Sequence, residues 1–195
     1  MKAAQSPMEL LACLEQREPV LLPTDTVPAL AIMPLAAETI WTLKQRPAHK
    51  PLILMGADQH QLEEALAMPW LAPWREEARK AWPGAVTLVL PDSGPLRQAL
   101  NPGGESLGLR VPACPMTQDL LRQSGPLATT SVNRSGEAPA LTAEEAHALF
   151  PQLAILGPLP WPSSSGNPSE VRAWDGTGWK VLRPSRPSTS IEGIR

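Results

Sequence analysis

The sequence has few cysteines, no long apolar run and no strong excess of either charge. Its 195 residues include two cysteines, Cys13 and Cys114, which are far apart and lack the spacing of metal ligands. They fit small buried residues or reduced thiols better than a disulfide framework, so we expect a reducing compartment. Residues 1–20 carry three glutamates within their apolar stretch, which argues against a signal peptide or a membrane span. We therefore predict a cytoplasmic protein with no membrane contact.

Several function classes lack their usual signals. With 17 Lys and Arg against 19 Asp and Glu, the formal net charge is -2, which argues against a surface coated for nonspecific nucleic-acid binding. Any RNA contact must then be local. The G-x-x-x-x-G-K-[ST] and G-x-G-x-x-G signatures are absent, which argues against a standard NTPase or dehydrogenase. His49, His60 and His147 lack ligand spacing and an acid partner, so we interpret them as surface residues and expect no metal site and no catalytic triad.

Apolar runs and capping signals predict alternating helices and strands. Helices are predicted over 7–17, 36–43, 58–66, 74–81, 116–123 and 142–150, and strands over 20–22, 51–55, 85–90, 107–111, 126–130 and 152–156. A hairpin is predicted to pair 170–174 with 179–183, which makes the sheet of this layered α/β fold mixed. We expect one domain over 1–183 and a disordered tail over 184–195. The loop over 158–168 is long enough to suggest a function.

Polar residues follow the first predicted strand. The apolar run Val20-Leu21-Leu22 breaks at Pro23 into Thr24-Asp25-Thr26, which cannot stay in a core without hydrogen-bond partners. If this segment is extended, the side chains of Thr24 and Thr26 share one face and that of Asp25 points to the other. Hydroxyl groups are therefore expected at the end of a buried strand.

Three cations, Lys44, Arg46 and Lys50, lie at or just beyond the end of the helix over 36–43, which we expect Pro47 to terminate. The helix macrodipole favours positive charge at this end, so simple capping would explain them. Cations that converge beside hydroxyl groups at a strand end also suit a polyphosphate. The nearby Thr24-Asp25-Thr26 segment favours the polyphosphate site.

Ser131 and Asn133 follow the strand predicted over 126–130. If that strand continues through them, their spacing puts both side chains on one face, where they could bind phosphate, ribose or a carboxylate. Alternatively, they form a turn and bond to the local backbone. Arg110 lies among apolar residues and needs a partner, whereas Ser169 and Arg183 are ambiguous. Hydroxyls, amides and cations of this kind suit positioning and charge stabilisation rather than covalent catalysis.

A series of motifs occurs in a distinctive order along most of the chain. The motifs are Pro23-Thr24-Asp25-Thr26-Val27, Lys44-Gln45-Arg46-Pro47 with Lys50-Pro51-Leu52-Ile53-Leu54, Trp82-Pro83-Gly84 with Thr87, Arg110-Val111-Pro112, Thr130-Ser131-Val132-Asn133-Arg134-Ser135-Gly136, Asn167-Pro168-Ser169-Glu170-Val171 and Leu182-Arg183. Their order resembles the YrdC-like family, the threonylcarbamoyl-adenylate synthases, in its short single-domain bacterial branch. The resemblance implies a three-layer α/β fold with a twisted mixed sheet and a concave, positively lined face.

The resemblance also implies a reaction. L-threonine and bicarbonate form a carbamate, whose oxygen attacks the α-phosphate of ATP to give threonylcarbamoyl-adenylate and pyrophosphate. Partner proteins then transfer the group to the adenosine beside the tRNA anticodon, and some RNA affinity is expected. Because a carbamate is already anionic, no general base of unusual pKa is expected.

Roles for individual residues follow from the matching motifs. Lys44, Arg46 and Lys50 would neutralise the triphosphate, together with Mg²⁺ that arrives with ATP and with no protein-bound metal. The other predicted ATP-binding residues are Thr87, Ser131, Asn133 and Arg183. The residues predicted to bind threonine or bicarbonate are Thr24, Thr26, Thr129, Ser169 and Arg110.

The chain departs from the family pattern directly after the first motif. It has Val27-Pro28-Ala29-Leu30-Ala31 where Val-Tyr-Gly-Leu-Gly, or Phe in place of Tyr, is usual. Losing the aromatic residue and two glycines changes the pocket wall and removes the freedom to adopt positive φ. Two alternatives to the synthase therefore stay open: a non-catalytic RNA-binding or regulatory module, and a paralogue with altered acceptor specificity.

Overall fold

The predicted alternation of helices and strands is present in the computed structural model, which describes residues 4–47 and 50–185. The helices are α1 (Pro7–Glu15), α2 (Glu38–Lys44), α3 (Gln59–Ala65), α4 (Ala72–Ala81), α5 (Pro95–Leu100), α6 (Pro115–Ser124) and α7 (Ala143–Leu149). The strands are β1 (Val20–Leu22), β2 (Ala29–Ile32), β3 (Ile53–Met55), β4 (Val86–Pro91), β5 (Ser106–Arg110), β6 (Leu127–Ser131), β7 (Ala154–Ile155), β8 (Glu170–Trp174) and β9 (Trp179–Arg183). A short 3-10 helix, Pro34–Ala36, precedes α2.

The nine strands of the described residues form one sheet in the order β7-β1-β2-β6-β3-β5-β4-β8-β9. Parallel pairs join β1 to β7, β3 to β5 and β4 to β8, and the remaining neighbours are antiparallel. The predicted mixed sheet is confirmed, as is the hairpin of β8 and β9 with its predicted bounds. Because the strand order is not the chain order, residues far apart in sequence become neighbours.

Two apolar clusters lie on opposite faces of the sheet. Along β1, Leu21 belongs to the larger cluster, which includes buried residues of α2, α3, α4, α5 and α7. Val20 and Leu22 belong to the smaller cluster, which α1 and α6 complete. Side chains alternate along a strand, so this division indicates helices on both faces and confirms the layered α/β fold.

Two elements were missed from the sequence, namely β2 and α5. β2 pairs with both β1 and β6, and Ala29 and Ala31 lie in it with ordinary extended backbone, since the only non-glycine residues with positive φ in the described chain are Arg17 and Gln45. The absence of glycine at these two positions therefore does not strain the backbone. Pro28, in place of the aromatic residue, and the methyl group of Ala29 still change the wall of the cleft described below.

The start and end of several elements differ from prediction. The helix around Ile40 ends at Lys44, where Gln45 adopts a left-handed conformation with φ of 49°, so Pro47 is not its immediate terminator. β6 ends at Ser131 and does not continue to Asn133. The capping box of Ser6 and Glu9 is present as predicted.

Some predictions lie outside the described residues or on their edge. The predicted disordered tail falls outside from residue 186 onward, and His49 also lies outside. Assigning one domain to 1–183 remains a prediction. No helix in residues 4–47 and 50–185 has the length and apolar character required to cross a membrane.

A matched pair of leucines tests the larger apolar cluster. Leu54 on β3 is 0% exposed, whereas Leu35 in the 3-10 helix is 74% exposed. Leu54→Ala should lower the free energy of unfolding by about 2–5 kcal/mol because it removes transfer energy and leaves a cavity, and Leu35→Ala should change it by less than about 0.5 kcal/mol. Urea denaturation of both variants measures the difference, and equal effects would contradict this assignment of the core.

Candidate active site

A cleft of about 310 Å³ lies on the central strands of the sheet. Along β4, Leu88 and Leu90 point into the larger apolar cluster, whereas Thr87 and Val89 line the cleft. The cleft is therefore on the same face as α1 and α6, beyond the strands that those helices cover. Met55, which belongs to the smaller cluster and also lines the cleft, marks the border between the two regions.

The segment over 23–28 forms one wall of the cleft as a bend between β1 and β2. The Thr24 hydroxyl donates to the Val27 carbonyl oxygen at 2.7 Å and accepts from the Thr26 N–H at 3.1 Å. The Thr24 and Thr26 hydroxyls lie 3.0 Å apart. The predicted extended segment is therefore wrong, because the first hydroxyl closes a local turn. Both threonines nevertheless line the cleft, and Asp25 does not.

Arg110, at the end of β5, has the partner that its buried position requires. It is 4% exposed, and its Nη2 lies 2.6 Å from Asp25 Oδ1, while Nη1 donates to the Thr26 hydroxyl at 2.7 Å. Its Nε donates to the Gly84 carbonyl oxygen at 3.1 Å. Burial lowers the pKa of Arg110, and the Asp25 carboxylate opposes that shift. The guanidinium thus lines the cleft from a fixed position.

Lys44 is the last residue of α2, but its side chain is not directed into solvent as simple helix capping would require. It is 1% exposed, and its ammonium donates to the Ser131 carbonyl oxygen and to Asn133 Oδ1, the latter at 2.7 Å. Burial lowers the pKa of Lys44 to about 7, with a further contribution from the charge of Arg46. Lys44 does not line the cleft, so the expectation that the reaction uses no general base of unusual pKa stays a prediction.

Ser131 and Asn133 are brought together by a turn rather than by a continuous strand. The Ser131 hydroxyl donates to Asn133 Oδ1 at 2.7 Å, and Asn133 Nδ2 donates to the Glu137 carbonyl oxygen at 2.7 Å. Only Ser131 of this pair lines the cleft. The alternative of a shared strand face is therefore wrong, and the alternative of a turn is confirmed for Asn133, which bonds to the local backbone and also connects Lys44 to the turn.

Arg46 and Lys50 occupy different positions despite their closeness in sequence. Arg46 lines the cleft and donates to the Pro51 carbonyl oxygen at 3.1 Å and to the Thr130 hydroxyl at 3.5 Å. Burial lowers its pKa. Lys50 is exposed and does not line the cleft, and only its backbone carbonyl accepts hydrogen bonds, from Arg46 and Trp41. Its contact with the triphosphate stays a prediction.

The remaining predicted residues lie on β4, β6 and the β8–β9 hairpin. The Thr87 and Ser169 hydroxyls are 2.8 Å apart, and Arg183 donates from Nε to the Ser169 carbonyl oxygen at 2.8 Å. These three residues form one group, although the family resemblance assigns Thr87 and Arg183 to ATP and Ser169 to threonine or bicarbonate. Thr129 lines the cleft and donates to the Ile53 carbonyl oxygen at 3.1 Å.

The cations that line the cleft stand at its two ends. Arg46 bonds to Pro51, just before β3, whereas Arg110 pairs in register with Met55 at the far end of that strand. Arg183 lies at the same end as Arg110, close enough for its charge to lower the pKa of Arg110. Cations this close repel one another, and anions that lie between or beside them offset that repulsion. The arrangement therefore suits two anionic groups in one cleft.

Sequence reasoning missed two contributors. Thr130 and Asp25 stand inside quoted motifs, but their partners Arg46 and Arg110 are 84 and 85 residues away in sequence. The long loop over 158–168 also packs here, since the N–H of Ser165 donates to the Asp25 carbonyl oxygen at 3.0 Å. In the sequence, the length of that loop was the signal of its involvement.

Metal-ligating side chains do not gather in this part of the molecule. Across residues 4–47 and 50–185, no group of three or more His, Cys, Asp or Glu residues could hold a metal ion. His60 is exposed as predicted, but its Nε2 lies 3.5 Å from Glu64 Oε1, so the expected lack of an acid partner is wrong for it. His147 is buried on α7, so its interpretation as a surface residue is wrong. Cys114 is buried, and it forms no disulfide with Cys13.

A second cavity, of about 160 Å³, adjoins the cleft. Thr24 and Pro28 line both cavities, whereas Trp161 and Leu141 line the second one and not the cleft. The Trp161 ring is fixed because its Nε1 donates to the Leu156 carbonyl oxygen at 2.7 Å. The wall between the two cavities thus includes the residue that stands where the family pattern has an aromatic side chain.

Comparison with known proteins gives consistent matches. The family model Sua5/YciO/YrdC, described as telomere recombination, matches residues 12–185. The threonylcarbamoyl-AMP synthase of Yersinia enterocolitica is 36% identical over 170 residues, which cover 84% of this chain and 88% of that protein. The corresponding protein of Yersinia pestis is 37% identical over 175 residues.

Solved structures share the architecture. The crystal structure of P. abyssi Sua5 complexed with L-threonine is 27% identical with a TM-score of 0.83, and the match covers 92% of this chain but 54% of that longer one. E. coli YciO is 21% identical with a TM-score of 0.77, covering 92% of this chain and 88% of its own, and shows the fold alone.

The buried amine of Lys44 makes stability depend on pH. The folded protein releases this proton near pH 7, whereas the unfolded chain keeps it up to about 10.5. Between those values the unfolded state binds more protons, so stability should rise with pH. We expect the free energy of unfolding of the native protein, measured in urea titrations, to rise between pH 7 and 9 by about 1 kcal/mol per pH unit more than that of Lys44→Met does. Lys80→Met, at an exposed lysine, is the matched control, and parallel curves for the native protein and Lys44→Met would contradict the shifted pKa.

Proposed function

The chain belongs to the Sua5/YciO/YrdC family, and on that premise we propose that it is a threonylcarbamoyl-AMP synthase. The observation that carries this proposal is the pair of cationic ends in one cleft, with Arg46 at one and Arg110 and Arg183 at the other. A reaction between a triphosphate and a second anion needs positive groups of the protein beside each reactant, because two negatively charged reactants must be brought together.

The proposed reaction has two steps. The amino group of L-threonine combines with bicarbonate to form a carbamate and water. A carbamate oxygen then bonds to the α-phosphorus of ATP, the bond between that phosphorus and the bridging oxygen breaks, and the electron pair leaves with pyrophosphate. The product, threonylcarbamoyl-AMP, serves tRNA modification through partner proteins in the cytoplasm. Direct contact with tRNA would need a local positive surface, and the cleft rim is the proposed location.

Positive charge is the main catalytic contribution of the proposed ATP end. Arg46 neutralises the triphosphate and the leaving pyrophosphate, and Lys44 adds charge through its protonated form, which a nearby triphosphate favours. Ser131 contacts phosphate or ribose, and Asn133 holds Lys44. Lys50 reaches the phosphates only if its exposed side chain turns toward the cleft. Mg²⁺ enters as part of the ATP substrate, held by phosphate oxygens.

Hydroxyls and two arginines form the proposed acceptor end. Thr26, Thr129 and Ser169 bind the amino acid or its carbamate, and Thr24 contributes its methyl group because its hydroxyl is engaged with the backbone. Arg110 binds a carboxylate of threonine or of the carbamate. Thr87 and Arg183 contact Ser169, so we propose that this group meets both the carbamate and the α-phosphate.

An acceptor other than threonine is a second candidate, favoured by Pro28. This residue lines both the cleft and the second cavity, so a bulkier acceptor side chain would meet a short proline rather than an aromatic ring. Pyrophosphate release from ATP, measured with L-valine, L-isoleucine or L-leucine in place of L-threonine, separates the two candidates.

Pyrophosphate release from ATP tests the proposed function. Release should require both L-threonine and bicarbonate, with threonylcarbamoyl-AMP identified by mass spectrometry. Release with another amino acid alone would support the altered acceptor. Binding of tRNA without any release would instead indicate the non-catalytic module.

Truncation of Arg46 tests the ATP end. Arg46→Ala should lower the rate of pyrophosphate release by about 100-fold or more, because it removes a charge that stabilises the transferring phosphate. Arg122→Ala is the control, since Arg122 is exposed and pairs with Asp119 on α6. Thermal unfolding should show both variants folded, and native turnover in Arg46→Ala would remove this residue from the proposed site.

A further inference from the structure

Asp25 lies between two threonines that line the cleft but does not line it itself. Its carboxylate oxygen Oδ1 accepts from Arg110 Nη2 at 2.6 Å and from the Ala113 N–H at 3.0 Å. Its backbone carbonyl accepts from the Ser165 N–H at 3.0 Å. One residue therefore connects the end of β5, the segment before α6 and the long loop over 158–168.

The guanidinium of Arg110 depends on Asp25 more than on its other partners. Three of its nitrogens each donate one hydrogen bond, to Gly84, Thr26 and Asp25. Gly84 and Thr26 are uncharged acceptors, so they orient the group without compensating its charge. Asp25 is the only carboxylate within ion-pair distance of Arg110 among the described residues. Removing the sole charged partner of a buried cation leaves its charge uncompensated in the protein interior, which strongly destabilises that arrangement.

Two donors of Arg110 remain for a ligand. A guanidinium carries five N–H groups, and three are engaged, which leaves one on each of Nη1 and Nη2. Because the engaged bonds come from all three nitrogens, they define the plane of the group. The direction of the remaining two N–H groups follows from that plane, and bidentate recognition of a carboxylate depends on it.

We propose that Asp25 is a positioning residue that holds the guanidinium of Arg110 in the orientation needed to bind the carboxylate of the acceptor amino acid or its carbamate. Asp25 acts through Arg110 and does not touch the substrate. The identity of the bound anion rests on the proposed function, whereas the role of Asp25 rests on the contacts described above.

A different role for the same ion pair makes the opposite prediction. If Asp25 only reduced the positive charge of Arg110, its removal would strengthen anion binding and lower the KM for the amino acid. If it positions the guanidinium, its removal weakens binding and raises that KM. The direction of the change therefore decides between the two roles.

Kinetics of pyrophosphate release test the positioning role. Asp25→Ala should raise the KM for L-threonine by roughly 10–100-fold, the loss expected for a misaligned charge-assisted hydrogen bond, with less than about a threefold change in the KM for ATP. Asp25→Asn retains an oxygen acceptor and should give a smaller rise. Asp119→Ala and Asp119→Asn are matched controls at an exposed Asp–Arg pair and should change neither constant. An unchanged or lowered KM for L-threonine in Asp25→Ala would overturn the proposal.

The order of the Arg110 side chain provides a readout that does not need activity. Its guanidinium N–H resonances, assigned by their loss in Arg110→Lys, should be sharp in the native protein and broadened in Asp25→Ala, and unchanged in Asp119→Ala. If Asp25→Ala does not fold, the comparison is made with Asp25→Asn, in which partial broadening is expected. Unchanged resonances in the folded variant would refute the positioning role. Absence of pyrophosphate release by the native protein would refute the proposed function alone, since the spectra still decide the role of Asp25.

Discussion

Helices α1 and α6 cover only part of one face of the sheet, and the cleft occupies the part that they leave open. The opposite face is packed against five helices, so the central strands place alternate apolar residues there, such as Leu54 of β3, Leu88 and Leu90 of β4 and Leu107 and Leu109 of β5. The intervening residues of β4, β5 and β6 then face a space without a covering helix. Thr87, Gly108 and Thr129 stand at these positions and line the space, and their small or hydroxyl-bearing side chains leave it open and polar. The cleft therefore exists because helices cover this face of the sheet only in part.

Cations in and beside this cleft remain buried only because each has oxygen acceptors. Lys44 donates to a carbonyl and an amide oxygen, and Arg110 to a carboxylate, a hydroxyl and a carbonyl. Burial still lowers the pKa of both, so their environment is less favourable to charge than water is. An anionic ligand would complete the compensation that the protein provides in part. This physical reason links the fold to the proposed chemistry.

Tertiary contacts overruled local interpretation at several residues of the site. Simple capping would explain Lys44 at the end of α2, but its ammonium turns inward to Ser131 and Asn133 at and beyond the end of β6, which lie beside it only in the folded sheet. For Ser131 and Asn133 the sequence left a continuous strand and a local turn open, and the structure has the turn, in which Asn133 donates to the Glu137 carbonyl oxygen four residues later. β2 was missed because its alanines carry little strand preference, and its partners on both sides stabilise it.

The sequence by itself determined the alternation of elements, the mixed sheet, the β8–β9 hairpin and the family, because these depend on local apolar spacing, capping residues and motif order. It also identified Thr26, Arg46, Arg110 and Arg183, which the structure brings to one cleft. Only the tertiary structure decided that Asp25 pairs with Arg110, that Lys50 stands outside and that Pro28 separates two cavities. These facts depend on contacts between residues far apart in the chain, where spacing along the sequence carries no information about distance in space.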